Sequence, residues 1–75
     1  MSMFNPQNID HEELWLVDDR IRATEVEIRD LEERKAACHD PDSLKELNDY
    51  IRRKEVDLAR LKQERQHILG RGFED

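Results

Sequence analysis

From Leu14 onward, apolar residues recur in alternating steps of three and four: Leu14, Val17, Ile21, Thr24, Ile28, Leu31, Lys35 and Cys38. That spacing is the a/d seam of a coiled-coil helix. A second series has the same rhythm: Leu44, Leu47, Ile51, Lys54, Leu58, Leu61, Arg65 and Ile68. Twelve of these 16 positions are apolar, whereas the other 59 hold only 15 hydrophobic residues. A threefold enrichment of this kind predicts two long amphipathic helices.

The step from Cys38 to Leu44 breaks the phase, and Pro41 inside it would clash with the preceding turn of a continuous helix. The chain is therefore expected to stop and fold back. In a register that pairs position i with position 82 − i, each seam residue meets a seam residue. Lys35 then faces Leu47, Lys54 faces Ile28, Arg65 faces Val17 and Thr24 faces Leu58, so no two polar seam residues meet. The aliphatic stems of the lysines and Arg65 can pack while their charged heads reach water. The predicted fold class is all-α, an antiparallel two-helix coiled-coil hairpin.

Local signals place the ends. Asp10 with Glu13 forms a capping box, and Ile9 with Leu14 forms a hydrophobic staple, at the start of a helix expected over 11–38. At the turn, 39–42, Asp40 reads as an N-cap followed by Pro41 at the first helical position; Ser43 with Glu46 offers a second capping box. The second helix is expected over 42–69, closed by Gly70 as a left-handed cap, with Gly72 opposing further helix. Residues 1–9 read as an extended segment, 10–69 as the hairpin and 70–75 as a flexible tail. Acidic residues gather at both helix starts and basic ones near both ends, matching the macrodipoles.

Composition narrows the function classes. The chain has 75 residues, 43% of them charged and 36% hydrophobic. So short and polar a chain buries too little to enclose an active-site cavity, and a narrow two-helix core makes self-association, as a homodimer, the expected remedy. The net charge of −6 offers no long-range attraction for nucleic acid or anionic membranes. No apolar run nears the ~20 residues that span a bilayer. The lone Cys38 excludes an internal disulfide framework, and the start Met1-Ser2-Met3-Phe4-Asn5-Pro6 lacks the layout of a signal peptide, so the cytoplasm is the expected location.

Chemistry-bearing groups are few. Cys38, His39 and Asp40 are metal-ligand types, but His11 and His67 belong to the opposite end of a rod roughly 42 Å long. No phosphate loop, nucleophile elbow or His-Glu-x-x-His pattern occurs, so neither enzyme activity, metal nor cofactor is expected. The f positions, among them Glu12, Asp19, Glu33, Asp42 and Asp49, form acidic outer ridges. One carboxylate per two turns, ~10.5 Å, is much sparser than duplex phosphate, which favours a solvated face over a nucleic-acid mimic.

Three surfaces remain as interaction candidates. Arg20 and Arg34 on helix one share a side with Arg53 and Arg60 on helix two, and such a stripe could grip phosphates. The plasmid copy-number regulator Rop, itself a dimer of helical hairpins, is similar in architecture, with no shared sequence motif. Interleaved Glu27, Asp30, Asp57 and Glu64 neutralise the stripe, and Tyr50 alone could stack on bases, so nucleic acid ranks below protein as a partner. At mid-hairpin Glu25 approaches Glu55 and Glu27 approaches Asp57, an acidic girdle that Lys54 on the nearby seam compensates in part and that a basic partner could complete.

The third surface is the open end. Phe4, Ile9, Trp15, Leu16, Leu69 and Phe73 collect there, and Trp15, Leu16 and Leu69 lie off the seam. They form either a local plug or a dimer or partner patch with the composition of a binding hot spot. The sequence thus predicts a small non-enzymatic protein-interaction module, an adaptor, assembly factor or inhibitor, whose partner it does not name. A Rop-like nucleic-acid regulator, or an acidic nucleic-acid mimic, is the alternative.

Overall fold

The computed structural model describes residues 11–71. Two helices, α1 (His11–Ala37) and α2 (Pro41–Arg71), account for all of them except Cys38, His39 and Asp40. At 27 and 31 residues the helices are about 40 and 46 Å long. They pack against each other as an antiparallel hairpin, the all-α architecture expected from the seam.

Burial tracks the three-four rhythm. All 16 seam positions are buried or half-buried. Beyond them only Glu13, Asp18, Ser43 and Leu69 escape full exposure among residues 11–70. The core proper is thin: Val17, Ile51 and Ile68 are buried apolar residues, joined by the buried Thr24. Among the described residues no buried side-chain polar atom lacks a hydrogen-bond partner.

The two cationic seam residues of α2 confirm both the register and the snorkelling. Lys54 Nζ lies 3.3 Å from a Glu27 carboxylate oxygen, beside its expected partner Ile28. Arg65 Nε donates to Asp18 Oδ1 at 2.6 Å, beside its expected partner Val17. Each cation packs its stem in the seam and turns its head toward a residue adjacent to that partner along α1.

The reversal uses the Asp40-Pro41 solution. Asp40 Oδ2 accepts from the Ser43 backbone N–H at 3.1 Å and from the Ser43 hydroxyl at 2.8 Å, and the Asp40 carbonyl accepts the first α2 bond from Leu44 N–H at 2.9 Å. Asp40 is the N-cap, Pro41 occupies the first helical position, and Ser43 serves Asp40 instead of starting its own capping box. α1 ends one residue sooner than expected, as the Cys38 N–H reaches back three residues to the Lys35 carbonyl at 3.1 Å, a tightened final turn. The Cys38 thiol, half-buried, donates to the Asp40 carbonyl at 3.6 Å.

At the other end the expected left-handed glycine cap is absent. α2 runs through Gly70 to Arg71, and Gly70 has no positive φ. Buried Ile68 and half-buried Leu69 hold the last turns of α2 against the hairpin, and nothing crowds Gly70 into a reversal. The expected capping box of Asp10 and the staple of Ile9 lie outside the described residues, although α1 does begin at His11.

Candidate interaction surface

The concavities along the hairpin are open grooves beside the seam. One, near the turn, has Leu31 and Leu47 with Glu27, Asp30, Arg34, Ser43, Glu46 and Tyr50 around them. A second, on the same flank, has Thr24 and Leu61 with Arg20, Glu27, Asp57, Arg60 and Glu64. A cavity able to exclude water from a reacting centre would need a third wall, which two helices do not supply. Among the described residues no group of three His, Cys, Asp or Glu side chains is placed to hold a metal ion, and no helix is long and apolar enough to cross a membrane.

The four arginines of the basic stripe are dispersed. Arg20 and Arg60 share the groove with Glu27, Asp57 and Glu64; Arg34 lines the groove with Glu27, Asp30 and Glu46; Arg53 lies with Arg52, Asp49, Val56 and Asp57. Each of the four therefore sits among carboxylates, and the flank presents alternating signs. Tyr50 already receives a cation, with Lys54 Nζ 5.7 Å from its ring centroid.

The acidic girdle is neutralised in part from within the hairpin. Glu27 pairs with Lys54, and Glu25 with Lys62 at 3.9 Å, so two of the four carboxylates meet lysines within the hairpin. The like-charge juxtapositions that the register implies are relieved one or two turns away, by side chains long enough to cross between helices. Considering only residues directly opposite one another misses such diagonal contacts.

The open end differs from both. Trp15 is 70% exposed and Leu16 55%, next to each other on the second turn of α1. An indole and a leucine left in water side by side, off the seam, are not required by the hairpin. A shallow hollow beside Trp15 is lined by His11, Glu12, Leu14 and Asp18. Leu69 is half-buried, so it belongs partly to the core and only partly to the ridge. Phe4, Ile9 and Phe73, expected to join this patch, lie outside the described residues. Val26 and Val56 are exposed as well, but as single residues on the outer ridges, each with charged surroundings.

Comparison of the chain with models of known protein families, with curated proteins and with solved structures found no match.

Proposed function

We propose that the hairpin is a non-enzymatic protein-interaction module, an adaptor, assembly factor or inhibitor, whose contact surface is the Trp15–Leu16 ridge at its open end. The exposure of that adjacent pair carries the reading. Tryptophan is among the residue types most enriched in binding hot spots, and its burial against a partner supplies a large apolar area at little cost in side-chain entropy. The rigid hairpin fixes the position of the ridge in advance, which lowers the ordering cost of binding.

The module is further proposed to work as a homodimer. Among the described residues only three apolar side chains are buried, and Leu31, Leu47, Leu58 and Leu61 stay half-exposed along the seam. Added burial against a second copy would offset so thin a core.

The test is capture from native cell extract with the full chain as bait, compared with Trp15→Ala combined with Leu16→Ala. Both residues are exposed and alanine favours helix, so helicity by circular dichroism should be unchanged. The reading predicts that a protein retained by the native chain, before and after nuclease treatment, is lost from the double variant. Retention by both chains would refute the ridge as the contact surface, and loss on nuclease treatment would favour nucleic acid.

A further inference from the structure

The two flanks of the hairpin handle charge differently. On one, Asp18 is bound to Arg65 and Glu25 to Lys62, so carboxylates and cations satisfy each other within the chain. On the other lies the groove with Thr24 and Leu61 on its floor and Arg20, Glu27, Asp57, Arg60 and Glu64 around it. Lys54 holds one Glu27 oxygen, yet the Glu27 side chain stays 53% exposed. Arg20, Asp57, Arg60, Glu64 and the neighbouring Arg53 are exposed and enter no ion pair among the described residues. Opposite charges thus share this groove without closing on one another, over the half-buried Leu61 and beside the small, exposed Ala23.

The order of these charges is self-complementary. Along the rod, α2 residue j stands level with α1 residue 82 − j. A twofold axis crossing the groove between Ala23 and Thr24, at right angles to the rod, lays a second copy antiparallel on this flank. It matches position i of α1 with 47 − i of the copy, and position j of α2 with 117 − j. Arg20 then meets Glu27, Arg60 meets Asp57 and Arg53 meets Glu64, each pair formed twice. The floors coincide as well: Thr24 meets Ala23 of the copy, and the two Leu61 side chains stand about 7.5 Å apart along the rod.

Other placements of a second copy fail on sign or on overlap. With the copy parallel, Glu27 comes within about 3 Å of the level of Asp57, and Arg20 equally near that of Arg60, both like-charge meetings. An axis one heptad nearer the turn sets Asp57 against Glu46, and one heptad nearer the open end leaves most of each rod uncovered. A phosphate backbone laid in the groove would meet Glu27, Asp57 and Glu64 between the arginines.

We infer that this flank is the dimer face: a second copy lies antiparallel across the Ala23–Thr24 groove, joined by Arg20–Glu27, Arg60–Asp57 and Arg53–Glu64 pairs around Thr24 and Leu61. The inference rests on the homodimer reading and specifies its face and direction. Exposed ion pairs are individually weak, so the association is salt-sensitive. Of the ridge, Leu16 lies at the edge of this flank and Trp15 points to the opposite side, so the second copy leaves the indole uncovered.

Sedimentation equilibrium of the full chain should show a dimer whose dissociation constant rises with salt. Arg53→Glu with Arg60→Glu makes the flank acidic, and Asp57→Arg with Glu64→Arg makes it basic. Each variant alone should dimerise at least about tenfold more weakly, whereas an equimolar mixture should recover native affinity, because every repulsion becomes an attraction between unlike variants. Arg29→Glu with Arg52→Glu makes the same change in net charge on the other side of the helices and should leave the dimer unchanged. Direction is read by cross-linking. In a chain carrying Ala23→Cys and Cys38→Ser, residue 23 lies beside its own counterpart, and mild oxidation should join the dimer by a disulfide. The native chain should not join, since the two Cys38 residues stand about 44 Å apart along the axis.

Failure of the mixture to recover the dimer would overturn the inference, as would a disulfide through Cys38 and none through position 23. Equal weakening by Arg29→Glu with Arg52→Glu would overturn it too, since the effect would then belong to net charge. A native dimer that both reversals leave intact keeps the homodimer and removes this face. A native chain that sediments as a monomer at every concentration removes the homodimer itself, and the face with it.

Discussion

Replacing Ile51 by alanine probes the seam at one of its buried apolar side chains. Ile51 is 6% exposed and lies mid-hairpin opposite Leu31 in the 82 − i register. The substitution deletes three carbon groups, each worth about 0.8 kcal/mol when buried, or about 2.4 kcal/mol in all. A residual cavity would add to this, but a rod two helices thick can close over the gap, which places the loss near the lower end of the roughly 2–5 kcal/mol range for such changes. Alanine's better helix propensity returns a few tenths of a kcal/mol, about 0.4. The net loss is about 2 kcal/mol. For a domain of this size each kcal/mol moves the melting temperature by about 4–8 °C, so thermal unfolding followed by circular dichroism at fixed protein concentration should drop by about 8–16 °C. Val56→Ala is the matched control: Val56 is 52% exposed on the outer ridge, and its loss should stay within about 0.5 kcal/mol. Equal shifts for the two variants would refute the seam, because only the difference in burial between positions 51 and 56 separates their expected effects.

Asp40→Ala removes the acceptor of two Ser43 bonds at the start of α2 and should cost about 1 kcal/mol, read as a lower midpoint in urea at unchanged slope. Gly70→Ala should stabilise the chain by a few tenths of a kcal/mol, up to about 0.5, because α2 passes through Gly70 with open space around it; destabilisation would instead indicate a left-handed cap. Asp18→Asn should lower stability by less than about 1 kcal/mol, and the difference from the native chain should shrink as salt is raised, since both partners of the Arg65 pair are partly exposed. A homodimer predicts a melting temperature that climbs with protein concentration, and independence of concentration would exclude it.

The fold was legible because a narrow rod has one core line, and the three-four spacing of apolar residues traces that line without ambiguity. Pro41 located the reversal for an equally local reason, the incompatibility of proline with a helix interior. Gly70 was misread because a glycine ends a helix only when its surroundings favour a reversal: with Ile68 and Leu69 held against the hairpin, the helix continues through it. The acidic girdle was legible in part, for a different reason. Coupling of Glu25 to Lys62 crosses the hairpin diagonally, and a register of directly opposed residues does not contain that pair. Of the open-end patch, Trp15 and Leu16 were recognisable because they fall off the seam. Leu69 was harder to place, since its off-seam position alone does not reveal that α2 half-buries it.

Photo-cross-linking from the ridge inside the cell that makes the protein tests the central claim most directly. A benzophenone amino acid placed at Leu16, with the same group at Gln63 as the control, reports what touches each face; both sites are exposed, so neither insertion disturbs the seam. The interaction-module account predicts a discrete protein adduct from position 16 that is missing from position 63 and disappears when Trp15 is replaced by alanine. Adducts of equal yield from both positions, or none from position 16, would contradict it.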